Sequence, residues 1–221
     1  MKERLALSTI LFLLCAAAST TSQSRKQSAG GTNDISAKAV WHPPQAVWGK
    51  MQDACSSGGV ECVASFMRQA GAPRQAIAFT MLLSGEGSGE GYLDSFREMG
   101  KVDVATVFDP FRANDNGTIL LVNGTPRLIN LENLEKWGHI DITRDPLYPS
   151  LARQFPQIEL WGNPRGFTMQ RLPPRGQRFV IQYVLLNGCH ACEVAGYAHV
   201  AFDFDGLGAF MGIKLLRLSR S

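Results

Sequence analysis

Two spacings of apolar residues divide the chain: every three or four positions up to about residue 100, then alternation or unbroken runs from residue 102 onward. Residues 45–55 predict a short helix, broken at Ser56-Ser57-Gly58-Gly59. Val60, Val63, Phe66, Met67 and Ala70 share one face of a second helix that Gly71 stops. Pro73 opens a third helix through Ala76, Ile77, Phe79, Leu82 and Leu83, and the glycine-rich residues 85–91 end it. Tyr92, Leu93, Phe96 and Met99 keep the helical spacing as far as Gly100 and predict one more short helix.

Beyond that point the pattern is extended. Residues 102–108 predict a strand, and residues 118–122 with 127–131 predict a hairpin turned at Asn123-Gly124. Asp145-Pro146 opens a helix through Leu151, residues 157–161 resume strand character, and the Pro- and Gly-rich residues 162–176 read as a loop. Residues 179–186 are apolar except for Gln182, as in a strand covered on both faces. In residues 197–204, Ala198, Val200, Phe202 and Phe204 lie on one face and Tyr197, His199, Ala201 and Asp203 on the other. After Asp205-Gly206-Leu207-Gly208, residues 209–218 return as a third strand. Helices first and then an antiparallel meander predict an α+β fold with N-terminal helices packed on a C-terminal antiparallel sheet.

The N-terminus changes the picture of where the protein works. Met1-Lys2-Glu3-Arg4, an apolar run over residues 5–18 and small residues at Ala16, Ala17 and Ala18 have the layout of a cleavable export signal, too short to span a bilayer. Residues 19–40 are polar, small and non-periodic and predict a flexible spacer, leaving residues 41–221 as a single globular domain. Cys15 leaves with the leader; lipid anchoring there would want a small residue immediately before it, where Leu14 stands. The expected location is periplasmic or secreted. In that oxidising setting Cys55, Cys62, Cys189 and Cys192 are read as two disulfides bracing the domain, and of the three possible pairings closeness favours Cys55 with Cys62 and Cys189 with Cys192.

Composition is that of an ordinary globular domain, 45% hydrophobic and 19% charged, with no further membrane span expected. The formal charge is only +3, without a run of Lys or Arg, which argues against a nucleic-acid partner. The spaced glycines of residues 85–91 lack the strand and the Lys-Ser or Lys-Thr of a phosphate loop, and Glu86 and Glu90 would repel phosphate. Asp203 and Asp205 read as turn carboxylates rather than calcium ligands, and no serine sits in a nucleophile elbow. Asn116 and Asn123 begin glycan-acceptor triplets, of which the turn accounts for the second.

Chemistry concentrates at Cys189-His190-Ala191-Cys192. A redox pair of this spacing sits at a helix N-terminus that stabilises the thiolate, whereas here a strand follows and Glu193 opposes the charge. Six residues separate Cys55 from Cys62, against about two to four in a zinc knuckle. The preferred reading is a non-enzymatic binding module whose disulfide-closed loop presents His190, with Tyr197 and His199 beside it, to an extracellular or periplasmic protein. No catalytic residue, metal ligand or cofactor is expected. The alternative is a thiol-redox or zinc-dependent protein using Cys189 and Cys192.

An extended run, a short Cys-to-Cys loop holding a histidine, and then a strand and hairpin make about residues 179–213 resemble the periplasmic inhibitor of vertebrate lysozyme family. That resemblance implies that the loop enters a lysozyme cleft and that His190 meets the catalytic carboxylates. Phe111-Arg112-Ala113-Asn114, Leu121-Val122-Asn123-Gly124 and the Gly188–Cys192 stretch resemble an uncharacterised family of exported bacterial proteins, which implies no activity.

Overall fold

Three helices open the folded chain: α1 (Gln45–Cys55), α2 (Gly59–Gln69) and α3 (Arg74–Gly85). The computed structural model describes residues 34–56, 58–113 and 117–221; the expected leader with Cys15, the spacer up to residue 33, and Asn116 lie outside the described residues. Gly71 stops α2 at φ +73°, and the Gly71 and Ala72 amides donate back to the Arg68 and Met67 carbonyls, the left-handed helix ending for which glycine is suited. Cys55 and Cys62 are joined across the break between α1 and α2.

Residues 92–99 are not a helix. Tyr92–Arg97 is strand β1 at the edge of an antiparallel sheet I, with β2 (Asp103–Phe108), β3 (Gly117–Val122) and β4 (Leu128–Asn130) following in order. A bulge at Asp94 is the reason: Leu93 pairs with Val107 and Ser95 with Thr106, so one extra residue lets Leu93 and Phe96 enter the same core cluster. The bulge imitates the helical interval.

Sheet I is covered on both sides. Ala105, Val107, Leu120, Val122 and Leu128 pack with Phe79 and Leu83 of α3, with Ala39 of a 3-10 turn at Ala37–Ala39, and with Ile35 just before that turn. Residues 35–39, read from the sequence as spacer, are therefore packed on the core of sheet I. Two apolar anchors in an otherwise polar stretch carry no periodicity, and Asn123 completes the attachment, accepting from the Ile35 amide (2.9 Å) and donating to the Ile35 carbonyl (2.7 Å).

On its other side sheet I sends Val104, Leu121 and Ile129 into a core shared with a second antiparallel sheet, sheet II, built from β5 (Ile158–Leu172), β6 (Gly176–Asn187), β7 (Val194–Phe204) and β8 (Phe210–Ser219). Phe179, Ile181, Tyr183, Leu185, Ala198, Val200, Phe202 and Phe204 face inward, and α4 (Leu134–Trp137) and α5 (Tyr148–Gln154) add Leu134 and Leu151. Residues 162–172 belong to β5 rather than to a loop, with Phe167 and Met169 paired to Ile181 and Phe179. Its proline and glycines are tolerated because β5 is an edge strand with register shifts around Pro164.

Polar ties join the two sheets. Gln177 Oε1 accepts from the Lys101 and Val102 amides (both 2.8 Å), and Nε2 donates to the Val102 and Met99 carbonyls (3.0 and 3.2 Å). The buried Tyr183 hydroxyl donates to the Leu131 carbonyl at 2.8 Å. The α+β class, the C-terminal meander and the disulfide bracing are as the sequence leads one to expect; α3 packs on sheet I, while α1 and α2 cluster with α3 and with Tyr92 and Phe108 at the sheet's edge.

Candidate functional site

The outer face of sheet II is defined by alternation. Tyr183 and Leu185 point into the core, so Val184 and Leu186 point outward, and cross-strand pairing sets Tyr197 beside Val184, His199 beside Gln182, Ala201 beside Val180 and Asp203 beside Arg178. The β6–β7 hairpin that carries the cysteines closes one end of this face. Cys189 and Cys192 are bonded, and the Cys192 amide also donates to the Cys189 carbonyl at 3.0 Å. Gly188 enters the turn at φ +85°, where an added Cβ would strike the Gln157 side chain.

Gly188, Cys189, His190 and Ala191 are exposed. His190 does not hang free: its ring packs edge-on against Trp161 of β5, centroids 5.4 Å apart. Trp161, Arg165, Val184, Leu186, His190 and Val194 line a hollow of about 150 Å3 under the loop. His190 and Val184 thus line one hollow, while Tyr197 pairs with Val184 and His199 pairs with Gln182, two residues further along the same face. Trp161 ends the stretch read as a strand, where nothing in its spacing marks it as a partner of the loop; Arg165 lies beyond residue 161, in the part of β5 read as a loop.

His199 contacts Ser219 Oγ at 3.1 Å; burial first, and then the charge of Arg217 across the strand pair, hold its pKa below the ordinary histidine value. Asp203 is occupied: Arg178 donates to both of its oxygens at 2.6 and 2.8 Å, and the Lys214 ammonium lies 3.4 Å away. Burial pushes the Asp203 carboxyl up, but these two cations outweigh it and the net shift is downward. Asp205 caps its own turn, accepting from the Leu207 and Ala209 amides at 2.8 and 2.9 Å, so both aspartates serve the hairpin. Asn123 likewise spends its amide on Ile35 and on Asp103 Oδ2 (2.8 Å).

A larger cavity of about 700 Å3 lies between residues 132–140 and β5, but its Glu132 is clamped by Arg112 at 3.0 Å to both oxygens and by Thr118 at 3.2 Å. Among the described residues no group of three or more His, Cys, Asp or Glu is placed to hold a metal ion, and no helix is long and apolar enough to cross a membrane. With all four cysteines of the described chain joined in pairs, the loop offers an imidazole, an indole edge, a guanidinium and a phenol, which are groups for contact. Comparison with protein families, with curated proteins and with solved structures gives no match for this chain.

Proposed function

We propose that this is an exported, non-catalytic protein-binding module that engages its partner through the Cys189–Cys192 loop and the adjoining outer face of sheet II. One observation carries the reading: an exposed loop, closed by a disulfide and seated on Trp161, ends a sheet face on which Asp203 is paired with Arg178 and His199 with Ser219. A cross-linked turn loses little conformational entropy on association, and an aromatic–histidine pair supplies rigid contact area. The two disulfides fit an oxidising compartment, periplasmic or extracellular.

The partner class that the loop chemistry suggests is a cell-wall-degrading enzyme of the lysozyme type, with His190 directed at its acidic cleft. The test is inhibition across a panel of lysozymes by the wild type, His190→Ala and Tyr197→Ala, with thermal unfolding in parallel. Inhibition lost on His190→Ala at unchanged stability supports the reading; a wild type that inhibits none of the panel removes lysozyme as the partner. A count of free thiols and metal in protein from the exported fraction separates this from thiol or zinc chemistry at Cys189 and Cys192. Reactive thiols or stoichiometric zinc would favour the latter.

A further inference from the structure

At the outer edge of sheet I the bulge at Asp94 does more than disguise a strand. It turns the Asp94 side chain out of the ladder, beside Tyr92, while the chain from Trp41 onward crosses the same edge: the Trp41 amide donates to the Leu93 carbonyl at 3.0 Å. His42 Nε2 sits 2.8 Å from the Asp94 main-chain oxygen and 3.5 Å from its carboxylate. A carbonyl only accepts, so Nε2 carries the proton. The first turns of α1 then lower Trp48 over Phe108. The result is a cavity of about 420 Å3, within the range of about 300–1,000 Å3 usual for small-ligand sites, walled by Trp48, Tyr92 and Phe108 and rimmed by His42, Gln45 and Asp94.

The chemistry of the lining is selective. Trp48 and Phe108 meet at 67° with centroids 6.1 Å apart, and Tyr92 and Phe108 at 34° and 5.5 Å, so the three rings turn differently inclined surfaces toward one space. Trp48 Nε1 is sealed from solvent and has no hydrogen-bond partner, so the indole offers the cavity carbon and π-surface rather than its N–H. One carboxylate, that of Asp94, stands at the rim, and no Lys or Arg is among the residues lining the cavity. An anion would have to sit beside that carboxylate. A sugar would have to draw its hydrogen bonds from His42, Gln45, Asp94 and the Tyr92 hydroxyl alone, the rest of the wall being ring surface. A soft cation gains from both features at once, ring quadrupoles around it and a carboxylate beside it.

From this juxtaposition we infer that the Trp48–Tyr92–Phe108 cavity binds a small quaternary or methylated ammonium group, with Asp94 as its counter-charge. The site shares no residue with the loop face of sheet II and stands or falls independently of it. Burial, and then the Asp94 charge, push the Tyr92 hydroxyl up to about 12, so the wall stays neutral and protonated in the working range.

The probe is choline, titrated calorimetrically into the full folded chain against a salt-matched blank, with the uncharged isostere 3,3-dimethylbutan-1-ol, N-acetylglucosamine and inorganic phosphate as comparisons. Saturable choline binding is expected, about tenfold weaker for the uncharged alcohol and about tenfold weaker for Asp94→Asn, whose thermal unfolding serves as the folding control. Co-sedimentation with phosphatidylcholine vesicles but not phosphatidylglycerol vesicles would name a lipid headgroup as the source, and binding of free choline alone a soluble compound. The inference is overturned if choline gives no saturable heat, if the alcohol binds equally well, if Asp94→Asn binds like the wild type, or if the sugar or phosphate binds in its place.

Discussion

Replacing Gln177 by Ala tests how the two sheets are held together. The side chain makes four hydrogen bonds, two accepted and two donated, to backbone groups of residues 99–102, where Gly100 adopts φ +145° and lies close against the Gln177 amide. Gln177 is 7% exposed and Val102 is fully buried, so the abandoned groups do not simply return to water. At about 1 kcal/mol net per bond, offset in part by water entering the gap, the expected loss is about 2–4 kcal/mol. That is a large share of the roughly 5–15 kcal/mol that stabilises a domain, and it corresponds to a fall in Tm on the order of 10 °C. Urea and thermal unfolding followed by circular dichroism measure it. Gln177→Glu sharpens the test, because an ionised carboxylate accepts from the two amides yet faces the Met99 and Val102 carbonyls without a proton to donate. Its folded pKa must therefore rise above the unfolded value, so its deficit is smallest below the unfolded pKa and grows as pH increases through the folded one. An Ala variant within about 1 kcal/mol of the wild type, or a Glu variant equal to it at pH 7, would refute the reasoning.

Asn123→Gly keeps the left-handed turn conformation of φ +67° but deletes the bonds to Ile35 and Asp103; stability should fall by about 2 kcal/mol, and hydrogen exchange at residues 35–39 should accelerate, an unchanged exchange rate counting against the clasp. Asp203, held below its ordinary pKa, contributes stability that is present above about pH 4 and lost as pH falls through the folded value. Asp203→Asn should cost about 1–2 kcal/mol at pH 7, and its unfolding curve should converge with the wild type's in acid; parallel curves down to pH 2 would disprove the assignment. Replacing Cys55 and Cys62 by Ser, sequence separation 7, should cost about 2.5 kcal/mol, and replacing Cys189 and Cys192, separation 3, about 2 kcal/mol in denaturant titrations, with a larger excess for the first pair because Cys55 is 1% exposed in the core.

Elements were legible where one physical signal acted alone. The helices α1 to α3 and the strands β2, β3, β6, β7 and β8 show either an unbroken apolar period or a strong stop, and both disulfide pairs follow from proximity in sequence. The failures each have a cause. At β1 the bulge converts an alternating pattern into an interval of three, which is also the interval of a helix. In β5 the edge position relieves the backbone of its need for an amide at Pro164, so turn-forming residues survive inside a strand. Ile35 and Ala39 are too few to make a period, and their place is fixed by Asn123, a contact spanning 88 residues. For the loop face, alternation places Tyr197 and His199 on one side of β7, whereas the contact of Trp161 with His190 depends on the pairing of β5 with β6, which no spacing announces. The aromatic cavity was not readable, because Trp48, Tyr92 and Phe108 belong to three separate elements.

A strand that is oily on both sides has no wet side to announce its phase. Leu120 and Leu121 in β3 are neighbours that belong to opposite interiors, and sliding the strand by one position would exchange them with little change in burial. What marks the phase must then be polar and local: Asn123 at the end of β3 and Gln177 across from the start of β2 act as locating pins. Loosening these pins together should yield misaligned but compact chains before it yields unfolded ones.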